Sequence, residues 1–330
     1  MSELRAYPPI VFVAGLAHRV SYSASGDLYS ARPAAVRARR LRAWRSLRGP
    51  GPTAADGEPY GTYTARWSPD GRRIALVLSV WYDDPYAQLA VVSSDGRRLR
   101  KLTTAGTLMT DVSWTPQGSL VVSDQNGPVL AVSMNRRSRQ LGSGSDPDLA
   151  PTGGSLVAAT SRGLVLYGPH STPAHALTGS GNDVSPRWSP DGTAVAFVRQ
   201  RGCYYEADCL HAANVYVVGA RGGRPRRLTV DADVGGSLLW SRDARSIAFT
   251  EWKDSPNGER VPDIGLVTVD GARVRRLASN ARALDWSPDG KKLLFLRSYE
   301  LWVMDADGGR QTRLALNRPG LAVIDGDWSR

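Results

Sequence analysis

Short apolar runs separated by turn residues recur along the whole chain, and none approaches the ~18 consecutive apolar residues of a membrane-spanning helix. The recurrence is a repeat. ARWSPDGRRIALV begins at Ala65, PRWSPDGTAVAFV at Pro186 and LDWSPDGKKLLFL at Leu284. Weaker copies begin at Val112, Leu238 and Asp148, and a truncated GDWSR runs to Arg330. The anchor positions are Trp67, Trp114, Leu149, Trp188, Trp240, Trp286 and Trp328, spaced 47, 35, 39, 52, 46 and 42 residues apart.

Each unit divides into four pieces. A segment ending in Trp-Ser leads into a Pro-Asp-Gly turn, where Pro presets φ and Gly supplies a positive φ. An aliphatic strand follows (IALV, VAFV or LLFL), then a second apolar strand such as LAVV from Leu89 or LWVM from Leu301. The fourth piece is a basic strand holding one leucine, for example Leu41, Leu102, Leu228 or Leu277. Four short strands per 40–50 residues predict a blade of a β-propeller, and no unit offers the 3.6-residue periodicity of a helical solenoid. The chain opens on a second strand near Ile10 and finishes on a first strand near Val323. The expected fold is therefore all-β: a single β-propeller domain over residues 1–330 with seven four-stranded blades. Blade one is split between 9–48 and 323–330, and the C-terminal strand closes the ring by joining the N-terminal blade. Six blades is the alternative if the degenerate unit around Leu149 merges with its neighbours.

The WSPDG-x-x-IAF, LYVVD-x-DG and RRLT pattern resembles the TolB-type, WD-like propeller repeats, including those of the actinobacterial LpqB-type lipoproteins. The resemblance spans nearly the whole chain, but it implies a scaffold whose members bind different things. A lipid-attachment cysteine near the N-terminus, as in the LpqB-type family, is missing, and PPIVFVAGLA reads as a strand and not as the core of a signal peptide.

Composition alters this picture in two places. The 330 residues are 42% hydrophobic with 10 Trp and 12 Tyr, enough to build a core and too apolar for a disordered chain. The formal net charge is +11, and apart from Lys101, Lys253, Lys291 and Lys292 every one of its 42 cations is arginine. The two cysteines, Cys203 and Cys209, share one short loop. They are a disulfide candidate, with two unpaired thiols as the alternative; they cannot supply a four-ligand zinc site. The pair and the family resemblance together favour an extracytoplasmic compartment.

Candidate chemistry is sparse. Asp70, Asp191 and Asp289 of the Pro-Asp-Gly elements read as turn residues that bond nearby backbone. No Gly-x-Ser-x-Gly elbow occurs, and no glycine-rich phosphate loop precedes a helix. Three residues before each anchor, however, stand Thr64, Asp111, Asp146, Ser185, Ser237, Ala283 and Asp325, six of them small and polar. First strands line a propeller's channel, so these form a polar ring: a hydrogen-bonded collar, or a site for water, a partner's terminus or a calcium ion.

The links between second and third strands vary in length, and three are long: 79–88, 200–214 and 251–263. Strand alternation puts them at one mouth. They carry Trp81, Tyr82, Asp83, Asp84, Tyr86, Tyr204, Tyr205, Glu206 and Trp252, with a combined net charge of −5. The expected function is a non-catalytic scaffold, a monomer or a subunit of a larger assembly, recognising a protein or peptide partner there. A propeller enzyme (lactonase, lyase or glycan-active) using Asp111, Asp183, Asp285 or Asp325 is the first alternative, and polyanion binding by the arginine-rich rim the second. Nucleic acid is disfavoured, because the arginines are not interleaved with base-stacking aromatics. The basic rim reads first as protection of exposed strand edges.

Overall fold

The computed structural model describes residues 9–16, 27–31, 39–42, 61–79, 87–103, 109–124, 127–168, 173–201, 213–235, 238–255, 257–271, 273–314 and 321–328. Every regular element among them is a β-strand, and the strands form seven four-stranded antiparallel sheets; the architecture is a β-propeller with four-stranded blades. In sheet one, β1 (Ile10–Leu16), β2 (Asp27–Ala31) and β3 (Arg39–Arg42) follow in order. Sheet two comprises β4 (Gly61–Trp67), β5 (Arg73–Ser79), β6 (Gln88–Ser93) and β7 (Leu99–Lys101). Sheet three comprises β8 (Met109–Trp114), β9 (Leu120–Asp124), β10 (Pro128–Val132) and β11 (Ser138–Ser143).

The degenerate unit around Leu149 has its own sheet, sheet four: β12 (Ser145–Leu149), β13 (Leu156–Thr160), β14 (Gly163–Tyr167) and β15 (Pro173–Ala176). Sheet five comprises β16 (Asp183–Trp188), β17 (Ala194–Gln200), β18 (Ala213–Gly219) and β19 (Arg226–Arg227). Sheet six comprises β20 (Leu239–Trp240), β21 (Ser246–Asp254), β22 (Arg260–Thr268) and β23 (Val274–Ala278). Sheet seven comprises β24 (Arg282–Trp286), β25 (Lys292–Arg297), β26 (Glu300–Asp305) and β27 (Thr312–Arg313). The last strand, β28 (Leu321–Trp328), pairs antiparallel with β1 from Ile10↔Trp328 to Leu16↔Leu321 and so becomes the fourth member of sheet one.

The apolar second strands are buried on both faces because each sheet packs between two others. Ile74, Leu76 and Leu78 join Val11 and Leu28 of sheet one in one cluster, while Ala75 and Val77 join Val112, Leu120 and Val122 of sheet three in another. Equivalent clusters lie between every consecutive pair of sheets, and Ile10, Phe12 and Trp328 pack against Leu294, Leu296 and Val303 of sheet seven. Each first strand touches the next, and β28 touches both β24 and β4.

The Ser-Pro-Asp-Gly elements are turns. Ser68 Oγ donates to Asp70 Oδ1 at 2.5 Å, Asp70 accepts from the Arg72 N–H, and Gly71 takes φ +64°. Ser189–Asp191, Ser241–Asp243 and Ser287–Asp289 repeat the contact at 2.6–2.7 Å. The serine hydroxyl, followed by the backbone N–H, holds Asp70 and Asp191 below the usual aspartate pKa.

The tryptophan anchors latch each sheet to the one before it, and they do so in two ways. Where the residue before the preceding anchor is aspartate, its carboxylate accepts the anchor's backbone N–H. Trp67 N donates to Asp327 Oδ2 and Trp188 N to Asp148 Oδ2, both at 2.6 Å, and Trp328 N donates to Asp285 Oδ2 at 3.1 Å. Where that residue is not aspartate, the indole N–H reaches its carbonyl instead. Trp114 Nε1 donates to Arg66 O at 3.0 Å, Trp240 Nε1 to Arg187 O at 2.9 Å and Trp286 Nε1 to Leu239 O at 3.2 Å. At Leu149 there is no indole, and β14 supplies the bond: the Tyr167 hydroxyl donates to Ser143 O at 2.9 Å across the face of Gly142.

Candidate functional site

Six of the seven first strands are bulged where the polar ring was expected; β20, paired only at Leu239 and Trp240, shows no shift. The register shifts between Thr62 and Thr64, Met109 and Val112, Ser145 and Asp148, Val184 and Arg187, and Ala283 and Asp285; in β28 it shifts beside Asp325. Asp146 and Ser185 take left-handed φ values of 50° and 51°, which short polar residues tolerate better than branched ones. Bulging leaves backbone groups unpaired, and the small polar side chains bond across to the neighbouring sheet. Thr64 Oγ1 donates to Asp325 Oδ2 at 2.7 Å, and the Ser185 N–H donates to Asp146 Oδ2 at 3.3 Å. The Ala283 N–H donates to the Thr250 hydroxyl oxygen at 3.3 Å. Ser237 lies outside the described residues, as does the side chain of Asp111.

Asp325 is the most engaged member of this register. Arg66 Nη1 reaches the same Oδ2 atom at 2.5 Å, with 18% of the Asp325 side chain exposed and 30% of Arg66. Burial pushes the Asp325 carboxyl up, but the Arg66 charge, the Thr64 hydroxyl and the Arg282 charge outweigh it and leave its pKa below the usual 3.8. It is therefore ionised at neutral pH and holds no proton to give.

Asp183, completely buried, forms a two-pronged pair with Arg199: Nε–Oδ1 is 2.6 Å and Nη2–Oδ2 is 2.8 Å. The Arg199 guanidinium lies over the rings of Tyr216 at 4.8 Å and Phe197 at 5.5 Å, and Asp183 raises its pKa. Asp285 is likewise occupied, accepting from the Trp286 N–H at 2.8 Å and from Trp328. Three of the four carboxylates considered as candidate acids thus spend their oxygens on holding the fold. Among the described residues, no three His, Cys, Asp or Glu side chains gather as a metal site.

The mouth differs from expectation at 251–263. Instead of a loop, β21 and β22 continue as a two-stranded ribbon, pairing Glu251↔Asp263, Trp252↔Pro262, Lys253↔Val261 and Asp254↔Arg260. A turn at Ser255–Glu259 closes it, with Gly258 at φ +81°. The physical reason is a third segment: Val234 bridges Glu251, and the Trp252 N–H donates to Asp233 O at 2.8 Å, so the ribbon is supported along its flank. Trp252 packs on Gly235, where an added Cβ would meet its Nε1 at 2.5 Å, and lies beneath the Arg260 guanidinium at 5.7 Å. Arg260 in turn pairs with Asp233. Trp252 therefore packs within the protein. Trp81, Tyr82, Asp83, Asp84, Tyr86, Tyr204, Tyr205 and Glu206, and the pair Cys203 and Cys209, lie outside the described residues.

Four-stranded sheets around a bulged inner register define a β-propeller, and in fold the chain is a TolB-type β-propeller. It resembles the crystal structure of TolB from Acinetobacter baumannii with a TM-score of 0.55 and 18% identity, over 79% of this chain and 67% of that one. An oligogalacturonate lyase in complex with manganese superposes with a TM-score of 0.60 at 13% identity, over 94% of this chain and 85% of that one. In sequence, 156 residues (46% of this chain) are 30% identical to an uncharacterized peptidase of Bacillus subtilis, YuxL. The match covers 22% of that peptidase, so the chain spans well under two thirds of it. No family model matches the chain.

Proposed function

We propose that the seven sheets are the blades of one ring closed by β28, and that the ring is a non-catalytic scaffold taking a protein or peptide partner at the mouth that bears the links between second and third strands. The observation that carries the reading is the division of labour between the two parts of this mouth. Inside, Asp183, Asp285 and Asp325 are committed to structural bonds. Outside, a ribbon with Lys253, Asp254, Glu259 and Arg260 at its end stands beyond the blade on a base braced at Glu251. Extended, rigidly supported elements beside aromatic loops are where propellers present contact surface.

The test replaces Trp81, Tyr82, Tyr204 and Tyr205 with alanine and compares partner capture from the native host, read by mass spectrometry, with the unfolding temperature. Specific capture by the parent and its loss in the variant at unchanged Tm is the expected result. Equal capture by both overturns the reading.

The second reading, an enzyme in the channel, is favoured by one observation: the lyase superposes on almost the whole chain. Turnover of oligogalacturonate with manganese or calcium, lost when Asp111 is replaced by asparagine, would establish it in place of the scaffold.

A further inference from the structure

The fourth strand ends each sheet on the side opposite the first strand, and the first strands pack on one another, so the fourth strands form the outer rim. Their charge is of one sign. Six of the seven carry arginine: β3 (RRLR), β7 (LRK), β11 (SRQLGS), β19 (RR), β23 (VRRLA) and β27 (TR). None of the seven contains an aspartate or glutamate, although the chain as a whole holds 31 acids beside its 42 cations. Charge protects a strand edge against pairing, and lysine is its usual carrier, yet every cation of these strands but Lys101 is arginine. Arginine's planar fork matches the oxygens of an anionic counterpart in a way lysine does not.

Several of these arginines are available. Arg100, Arg139, Arg227 and Arg275 are exposed and have no carboxylate partner among the described residues. The adjoining face, made by the turns between first and second and between third and fourth strands, is mixed: Asp70, Asp95, Asp191 and Asp289 stand beside its arginines. A flat anionic membrane would lie against that mixed face and miss most of the rim, whereas a flexible chain can follow the rim from blade to blade. The rim is interrupted once, at β15 (PAHA), so the basic track is an arc running through sheets five, six, seven, one, two and three.

We propose that this arc binds a flexible phosphate-backbone polymer, single-stranded nucleic acid or polyphosphate, through guanidinium–phosphate contacts alone. The sequence pattern argued against nucleic acid because base-stacking aromatics are missing, but their absence excludes base readout and leaves phosphate contact intact. Guanidinium groups pair with phosphate oxygens in a two-pronged geometry, and each phosphate neutralised on a single strand steepens the logarithmic salt dependence by about 0.7.

The experiment follows a labelled 30-nucleotide single strand by fluorescence anisotropy between ~50 and ~200 mM salt, with inorganic polyphosphate as competitor and phosphatidylserine vesicles as a separate arm. Binding that weakens steeply with salt, whatever the base sequence, is expected; competition by polyphosphate at lower phosphate concentration than the oligonucleotide identifies it as the preferred source. Combined Arg100→Glu, Arg139→Glu and Arg227→Glu substitutions are expected to cost more than tenfold in affinity and to flatten the salt slope by about 2, while Arg162→Glu on the opposite face leaves both unchanged. If the triple reversal does not fold, the triple Arg→Gln variant carries the same test. No binding of either polymer at ~50 mM salt, an equal loss in Arg162→Glu, or capture by vesicles alone overturns the proposal.

Discussion

Replacing Asp325 with asparagine tests whether charge holds β28 to β4. Asn keeps the shape and one acceptor oxygen, but removes the charge that Arg66 and Thr64 share at 2.5 and 2.7 Å. Hydrogen bonds to a charged group contribute about 1.5–3 kcal/mol each, and partial solvent access to both side chains places this site at the low end. A loss of about 2–4 kcal/mol follows. Unfolding entropy of about 2.1 cal/mol/K per residue gives roughly 0.7 kcal/mol/K for a chain of this length, so the Tm falls by about 3–6 °C. The pH dependence has a definite sign. The folded-state pKa of Asp325 is below the ordinary value of 3.8, so its contribution is complete above that value and is lost as pH falls through the folded pKa. Thermal unfolding by circular dichroism at pH 7 and again near pH 3 therefore shows a gap between parent and Asp325→Asn that narrows in acid. Equal Tm values at pH 7, or a gap that persists undiminished in acid, would refute the reasoning.

Three further outcomes rest on other contacts. Gly96→Ala places a Cβ 2.5 Å from the Leu41 carbonyl oxygen at φ +79°, whereas Gly222→Ala, at φ +89°, meets nothing within 4 Å; urea melts should show the first losing clearly more than the ~1 kcal/mol that positive φ alone costs the second. Trp240→Phe removes the bond to Arg187 O, but Trp188→Phe removes an indole N–H that has no partner, so the first variant should be the less stable by about 1 kcal/mol in the same assay. Asp183→Asn leaves Arg199 without its buried carboxylate and should cost about 3–5 kcal/mol, with the double variant Asp183→Asn/Arg199→Leu recovering part of the loss; no recovery would show that the cost is steric and not electrostatic.

The blades were legible because each repeats the same local conflict and its solution: an aliphatic strand needing cover on both faces, a tryptophan anchor and a turn whose Pro, Asp and Gly each serve one backbone position. What escaped is instructive. Residues 251–263 read as a loop because the outer half of the ribbon is exposed and the segment has no hydrophobic alternation, and its support at Asp233 and Val234 lies about 20 residues away. The polar register was visible, but its cause, a bulge at one place in six of the seven first strands, is a property of backbone pairing that side-chain type only shadows. Three of the four carboxylates weighed as acids differed from one another only in their neighbours: Arg199 for Asp183, two anchor N–H groups for Asp285, Arg66 and Thr64 for Asp325. The arginine bias of the fourth strands was visible from the start, yet its uniform sign could be judged only once strand ends were known.

The two kinds of anchor bond bear on how such an array of repeats can grow and change. An indole that donates to a main-chain carbonyl finds the same acceptor whatever side chain its neighbour carries, so the units beginning at Trp114, Trp240 and Trp286 tolerate any predecessor. An anchor whose N–H is met by a carboxylate is keyed to a predecessor that carries the aspartate, as Trp67 is to Asp327 and Trp188 to Asp148. Duplication or exchange of a unit is neutral at the first kind of boundary and selective at the second. The aspartates therefore mark the places where the order of the repeats is written into the chain, and both boundaries of the sheet that contains β28 are among them.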